Sequence, residues 1–259
     1  MQFKEKYGKY ALVTGASSGI GKEFAYLLAE RGISPILVAR REERLKEISL
    51  EITKKYNVES PFFKVDLTQE ESYKTLFKLT EKYDIGLLVN NAGFGYYGKF
   101  INQDEEKQAE MIKLNVFTFA MLTKVFSKYF VEKGRGGIIL VSSLAAFQPT
   151  AGMALYGATK GFELLLGEGF YEEIRGKNVD VTVLCPSATL TEFQSVAEGV
   201  PHKGMKARDV ALCGIKSLGK RVIAIPGFWN KIVGKLYRFF PRAFVRWATK
   251  MVLGGYLKD

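Results

Sequence analysis

The sequence predicts an α/β fold: a doubly wound, parallel sheet with helices on both faces. Three observations lead there. Short runs rich in Val, Ile and Leu recur at about residues 10–14, 34–39, 61–65, 86–90, 137–142, 179–184 and 222–225. Most of them lack polar alternation, as expected of strands buried on both faces. Between them lie amphipathic stretches such as Glu42–Tyr56, Gln69–Lys82 and Glu105–Val131, and strands alternating with helices build a parallel sheet.

Each element carries its own signal. Tyr10-Ala-Leu-Val-Thr14 reads as a strand, Gly15-Ala16-Ser17-Ser18-Gly19-Ile20-Gly21 as a tight turn, and Lys22–Glu30 as the helix it opens. Residues without a Cβ let backbone approach a ligand, and a helix N-terminus offers N–H groups to a pyrophosphate. The spacing is Gly-x-x-x-Gly-x-Gly, unlike the usual dinucleotide fingerprint. The second strand, Pro35–Ala39, ends in Arg40-Arg41. An acid at such a strand end suits a ribose 2′-hydroxyl, whereas Arg suits a 2′-phosphate; the alternative is a pair of solvated residues opening a charged helix. Asp66 follows the third strand and can equally cap the helix starting near Thr68. The fourth run leads into Asn90-Asn91-Ala92-Gly93, and the fifth into Ser142-Ser143.

The most informative pair follows. Tyr156 and Lys160 stand four residues apart in a helical segment, so a phenol and an ammonium share one face. A nearby cation favours the charged form of an acid, so the phenol is expected to titrate below its usual value of about 10. A phenol tuned in this way can give a proton to a carbonyl oxygen or take one from an alcohol. The same spacing also occurs on ordinary helix surfaces. The sixth run ends at Cys185 and gives way to Pro186-Ser187-Ala188-Thr189-Leu190-Thr191.

Taken in order, these motifs resemble the short-chain dehydrogenase/reductase family over most of residues 8–226. The resemblance implies a Rossmann-type, seven-stranded sheet in the order 3-2-1-4-5-6-7. It also implies NADP(H) as cofactor, because Ala39 stands at the family's acidic position and Arg40 follows. Gly15, Ser17, Ser18, Gly19, Ile20 and Gly21 match the cofactor turn, and Asp66 the acid that meets the adenine. Asn91, Ala92 and Gly93 match the second signature, with Asn90 and Ala92 flanking the adenosine and Asn91 open to a structural role. Pro186, Thr189 and Thr191 match the loop that holds the nicotinamide carboxamide, although Ser187 replaces the usual Gly. Ser143, thirteen residues before Tyr156, matches the serine that bonds the substrate oxygen, with Ser142 structural. Tyr156 matches the general acid and Lys160 the residue that steadies it and grips ribose. Asn115 matches a helical Asn that holds a water beside Lys160; closing a backbone gap is its alternative role.

Composition sets the remaining bounds. At 259 residues and 47% apolar, the chain can bury one large core. Cys185 and Cys213 suggest reduced thiols rather than a disulfide framework. His202 is the sole His, which excludes a His-based triad and a multi-His metal site, and no metal is expected. The start lacks a signal-peptide core and no run approaches a membrane span, so the cytosol is the expected location.

Residues 1–226 form the expected catalytic domain and 227–259 a basic extension. From Val210 onward there are ten bases and one acid, a net +9 of the chain's +11. Phe228, Trp229, Ile232, Val233, Leu236, Phe239 and Phe240 follow helical spacing; beyond Pro241, so do Phe244, Val245, Ala248, Met251 and Val252. Two basic amphipathic helices of this kind suit an anionic membrane surface. Packing on the domain, over the cleft or between subunits is the alternative, and nucleic acid fits less well because no recognition fold accompanies the charge. Relatives commonly pair as homodimers or homotetramers through the helices holding Asn115 and Tyr156. Phe94, Tyr96, Tyr97, Phe147, Met153 and Phe193 near strand ends either pack or line an apolar cleft for a lipophilic ketone or aldehyde, such as a ketoacyl chain or a steroid-like compound. A cofactor-binding regulatory or scaffold protein without turnover is the competing reading. It predicts loss of Tyr156 or Lys160, and both are present.

Overall fold

Strands β1 (Tyr10–Thr14), β2 (Ser34–Ala39), β4 (Ile85–Asn90) and β5 (Gly136–Val141) are buried at every position. The computed structural model describes residues 3–192 and 204–253. Successive residues of a strand point to opposite faces, so each strand feeds two cores. Ala11 and Val13 of β1 pack with α2 (Gly19–Ala29), α3 (Glu42–Tyr56) and α8 (Ala207–Ser217). Leu12, with Ile36 and Val38, packs with α4 (Ser72–Thr80), α6 (Phe119–Lys133) and α7 (Ala154–Ile174). Two apolar faces explain why these runs show no alternation, and each fully buried Leu, Ile or Phe contributes about 1.5–3 kcal/mol.

The sheet holds seven parallel strands in the order β3-β2-β1-β4-β5-β6-β9, with β3 at Phe62–Lys64, β6 at Val179–Leu184 and β9 at Ile223–Ala224. The strand expected as seventh is β9, because a small ribbon intervenes. Its strands, β7 (Thr189–Leu190) and β8 (Met205–Lys206), pair in parallel outside the main sheet. Strand order reverses between β1 and β4, the switch point where doubly wound sheets bind ligands at the strands' carboxyl ends.

Two elements depart from the expected pattern. The long helix over Glu105–Val131 is α5 (Glu105–Ile112), a π-helical segment (Lys113–Thr118) and then α6. A short helix, α1 (Phe3–Tyr7), precedes β1, and its Tyr7 hydroxyl donates to Asp180 at 2.6 Å.

After β9 come α9 (Phe228–Leu236), a 3-10 turn (Tyr237–Phe239) and α10 (Arg242–Leu253). The expected apolar stripes do not simply face the domain. α9 turns Asn230 and Gly234 inward: the Asn230 amide donates to the Pro226 carbonyl at 2.9 Å and to the Ser187 hydroxyl at 3.0 Å, and a Cβ on Gly234 would lie 2.8 Å from Ile225. Phe228 and Trp229 are 72% and 76% exposed. The second stripe divides. Val245 and Thr249 of α10 are buried, whereas Phe244, Trp247 and Met251 are exposed. Thr249 tolerates burial because its hydroxyl donates to the Val245 carbonyl at 2.9 Å.

Candidate active site

The turn after β1 is shaped by what a side chain would strike. Gly15 and Gly19 have φ of +66° and +54°, the left-handed region that glycine adopts without a steric cost. A Cβ on Gly15 would lie 2.8 Å from the Asn91 amide, and one on Gly19 2.9 Å from Thr191. A Cβ on Gly21 would run into the Gly15 carbonyl. Ser18 caps α2 with extended backbone, and Ile20 and Gly21 lie in its first turn. The turn thus places a helix N-terminus beside a surface kept clear of side chains.

Thr14 binds this turn to the end of β4. Its hydroxyl accepts from the Asn91 and Ala92 N–H groups, both at 2.9 Å, and the Asn91 amide donates to the Thr14 carbonyl at 2.8 Å. Asn91 therefore joins two strand ends. The Asn90 side chain is buried and donates to the Phe119 carbonyl and the Thr123 hydroxyl of α6.

Basic groups gather on one side of the turn. Arg41 donates to the Ser17 hydroxyl at 3.1 and 3.2 Å and to Glu192 at 2.6 Å. Arg44 reaches the same carboxylate at 3.1 Å, and Arg41 foremost, with Arg44 and Ser18, lowers its pKa. These donors hold the Glu192 carboxylate beside the start of α2, so the neighbourhood suits an anionic group. Arg40, the residue singled out in the sequence, is exposed at the end of β2. Asp66 accepts from the Thr68 N–H at 3.0 Å, the Thr68 hydroxyl at 2.8 Å and the Gln69 amide. Burial raises its pKa, but these bonds and the Arg40 charge outweigh it and leave the carboxyl below its usual range. That geometry is the turn-capping alternative.

Across the switch point, β5 and α7 bring Ser143, Tyr156 and Lys160 together. Ser143 lies beside the Tyr156 phenol and favours its charged form; its hydroxyl donates to the Pro186 carbonyl at 3.5 Å and accepts from the Ala145 N–H at 3.1 Å. Ser142 instead donates to the Lys160 carbonyl at 2.8 Å, the structural role expected of it. The Tyr156 ring packs against Gly95, where a Cβ would lie 2.8 Å from Cγ. The Lys160 ammonium sits 5.7 Å from the ring centroid, and a Cβ on Gly93 would lie 3.3 Å from it. The expected lowering of the phenol pKa is not what the structure gives. Burial raises it, and Lys160 and Ser143 only partly oppose that, because removing a phenolate from water costs more than one paired ammonium returns.

A further, smaller contribution in the raising direction comes from Glu163, which sequence reasoning passed over. It lies one turn beyond Lys160 with 0% exposure, and both carboxylate oxygens accept from the ammonium at 2.9 Å. The Val141 carbonyl accepts at 3.2 Å. Burial raises the Glu163 carboxyl to about 7 despite Lys160. Burial also disfavours charge on Lys160, yet Glu163 and Tyr156 more than compensate and raise it. Its i+3 spacing from Lys160 was the available signal.

Asn115 lies in the π-helical segment, fully buried. Its Oδ1 accepts from the Phe94 N–H at 3.2 Å, and its Nδ2 donates to the Phe94 carbonyl at 2.8 Å and the Thr159 hydroxyl at 3.1 Å. The side chain thus closes a backbone gap, the alternative role, while standing 3.0 Å from where a Gly93 Cβ would be. After β6, the Pro186 carbonyl accepts from Leu144 at 2.7 Å, Thr189 donates to the Ser187 carbonyl at 2.9 Å, and Thr191 packs on Gly19. Phe94, Met153 and Tyr156 form one buried cluster, flanked by Tyr96 and Tyr97; Phe147 packs with the α6/α7 core. Phe193 and His202 lie outside the described residues. Among the described residues no cluster of His, Cys, Asp or Glu could hold a metal.

Comparison with known proteins gives a consistent picture. A family model of short chain dehydrogenases matches residues 9–199. A 7beta-hydroxysteroid dehydrogenase of Collinsella aerofaciens is 34% identical over 89% of this chain and 90% of its own. A very-long-chain 3-oxoacyl-CoA reductase of Rattus norvegicus is 29% identical over 98% of this chain and 81% of its own. A short-chain dehydrogenase from Sphingobium yanoikuyae, solved with NADPH, superposes with a TM-score of 0.81 at 30% identity, over 89% of this chain and 94% of that one.

Proposed function

The chain belongs to the short-chain dehydrogenase family, and on that premise we propose that it is an NADP(H)-dependent oxidoreductase interconverting a lipophilic carbonyl compound and its alcohol. The observation that carries the proposal is the Ser143–Tyr156–Lys160 cluster, set across the switch point from a glycine turn with no room for side chains. That cleared surface and the anion-suited donors beside it fit a dinucleotide. Gly15, Ser17, Ser18, Gly19, Ile20 and Gly21 would hold its phosphates, Arg40 and Arg41 the 2′-phosphate, and Ala92, Gly93 and Asp66 the adenosine side. Pro186, Thr189 and Thr191 would hold the nicotinamide end. When bound, the nicotinamide supplies hydride to a carbonyl or accepts it from an alcohol.

The chain's own residues manage the proton. Tyr156 donates its phenolic proton to the substrate oxygen in reduction and takes it back in oxidation. Ser143 donates a hydrogen bond to the same oxygen, so developing charge meets a preplaced donor. Lys160 stabilises the phenolate. It can grip a ribose hydroxyl as well only by releasing one of its three present acceptors. Asn115 holds Phe94 and α7 in register behind this cluster. The phenol, raised above its usual range, is protonated at neutral pH, so the site is a proton donor there, which suits reduction. The hydroxysteroid and oxoacyl relatives, together with the apolar cluster around Tyr156, favour a steroid-like or ketoacyl substrate. A panel of such carbonyl compounds, followed by loss of NADPH absorbance with NADH alongside, tests the reading. Consumption of NADPH in preference to NADH is expected, and no consumption with any carbonyl would refute it. Arg40→Asp is expected to weaken NADPH binding far more than NADH binding, and equal losses would count against the 2′-phosphate assignment.

The tail supports a site of action. Phe240, Phe244 and Trp247 stack at 5.0 and 5.8 Å between centroids, and Phe239 is 82% exposed. Arg242, Arg246 and Lys250 are exposed on the same helix. No described helix is long and apolar enough to cross a membrane. An anionic bilayer surface satisfies both the charge and the aromatic face, each base near it contributing on the order of 1 kcal/mol, so the protein would work in the cytoplasm at a membrane surface. Co-sedimentation with phosphatidylserine vesicles at low salt is expected. Absence of binding would refute it, and so would self-association through this face instead. The exposed Leu165 and the groove between α6 and α7 favour a homodimer or homotetramer there, which analytical ultracentrifugation tests.

A further inference from the structure

Glu163 is a buried ionisable group that the reaction outlined above does not use. Positions 156, 160 and 163 fall on one face of α7, so Tyr156, Lys160 and Glu163 form a short buried column. An ammonium has three donors, and here two go to Glu163 and one to Val141. Among the described residues, the Glu163 carboxylate has no other hydrogen bond or ion pair beside these two. Its negative charge and the positive charge of Lys160 act on the phenol with opposite sign: Lys160 favours the phenolate and Glu163 disfavours it. Inside a protein, where screening by water is weak, neither effect is negligible.

We propose that Glu163 is a positioning residue of the proton-transfer cluster, which fixes the Lys160 ammonium against Val141 and, by opposing its charge, keeps Tyr156 a proton donor. This rests on Tyr156 acting as the general acid. Among the described residues, the titratable groups that interact with Glu163 are Lys160 and Tyr156 on its own helix and Cys185 at the end of β6; Ser142, which bonds the Lys160 carbonyl, is neutral. Burial, and then Glu163 itself, push the Cys185 thiol up, so it stays uncharged and does not compete for the ammonium.

The test is a titration of Tyr156 in the cofactor-free protein, using tyrosine labelled at Cζ and the signal missing from Tyr156→Phe as the assignment. In Glu163→Gln, which keeps shape and an acceptor but removes the charge, the phenol midpoint is expected to fall by about one pH unit or more. The acid limb of alcohol oxidation is expected to move the same way. Glu163→Asn carries the same expectation should the glutamine variant fail to fold. A midpoint that is unchanged or raised would overturn the proposal. So would a phenol signal independent of pH in both proteins together with superimposable oxidation profiles. The titration needs neither cofactor nor substrate, so a protein inactive on every carbonyl would refute the function while leaving this result readable.

Discussion

Replacing Thr14 with Val removes one oxygen atom and keeps the branched shape. Thr14 is completely buried, and that oxygen accepts the Asn91 and Ala92 N–H groups, each at 2.9 Å. A donor stranded by loss of its partner costs about 1–3 kcal/mol. Both N–H groups are only part-buried, so water can compensate in part and the lower end applies, about 2 kcal/mol for the two. For a chain of this size that corresponds to a fall of about 4–8 °C in melting temperature. The same two bonds fix the end of β4 against the glycine turn, so NADPH should bind more weakly as well. Urea denaturation and a cofactor titration on the same sample measure both effects. Thr14→Ser keeps the oxygen and should recover cofactor binding, losing about 1 kcal/mol for the missing methyl. A valine variant as stable as the parent, with unchanged cofactor affinity, would show that the hydroxyl does not hold these strand ends together.

Other expectations follow from single contacts. Gly21→Ala drives a Cβ towards the Gly15 carbonyl and to 2.6 Å from the Asn91 side-chain amide; the Gly15 carbonyl is main chain and cannot rotate away, so NADPH affinity measured by fluorescence should collapse. By contrast, a Cβ on Gly169 meets nothing within 4 Å, and Gly169→Ala in α7 should raise stability by about 0.5–1 kcal/mol in urea. The Glu163 carboxyl titrates higher in the folded chain than in the unfolded one. It therefore adds stability below about 4.5 and withdraws it as pH rises through about 7. Denaturation midpoints followed across that interval should fall in the parent and flatten in Glu163→Gln; parallel curves would contradict the assignment.

Strand positions were legible because burial on both faces writes unbroken Val, Ile and Leu into β1, β2, β4 and β5. The glycine turn and the Tyr156–Lys160 face were legible because each depends on local spacing. What escaped detection depends on contacts made at a distance. Nothing in Lys113–Thr118 marks a π-helical register, since the change lies in which carbonyl each N–H meets. Glu163 sits in an apolar run, Phe162–Leu166, where an acid reads as a helix-surface residue until Lys160 is seen to hold it. The phenol pKa was misjudged for the same reason: spacing revealed the cation but neither the burial nor the opposing carboxylate. In the tail, two apolar stripes were visible, but which side faces the domain depends on Asn230 and Gly234 in one helix and on Thr249 in the other. Small and polar residues there carry no hydrophobic signal.

Tyr156→Phe tests the central claim most directly, because it removes one hydroxyl and leaves the ring packed on Gly95. Reduction of an accepted carbonyl compound should fall to background while NADPH affinity stays close to that of the parent. Turnover surviving at a substantial fraction of the parent rate would mean that another group supplies the proton.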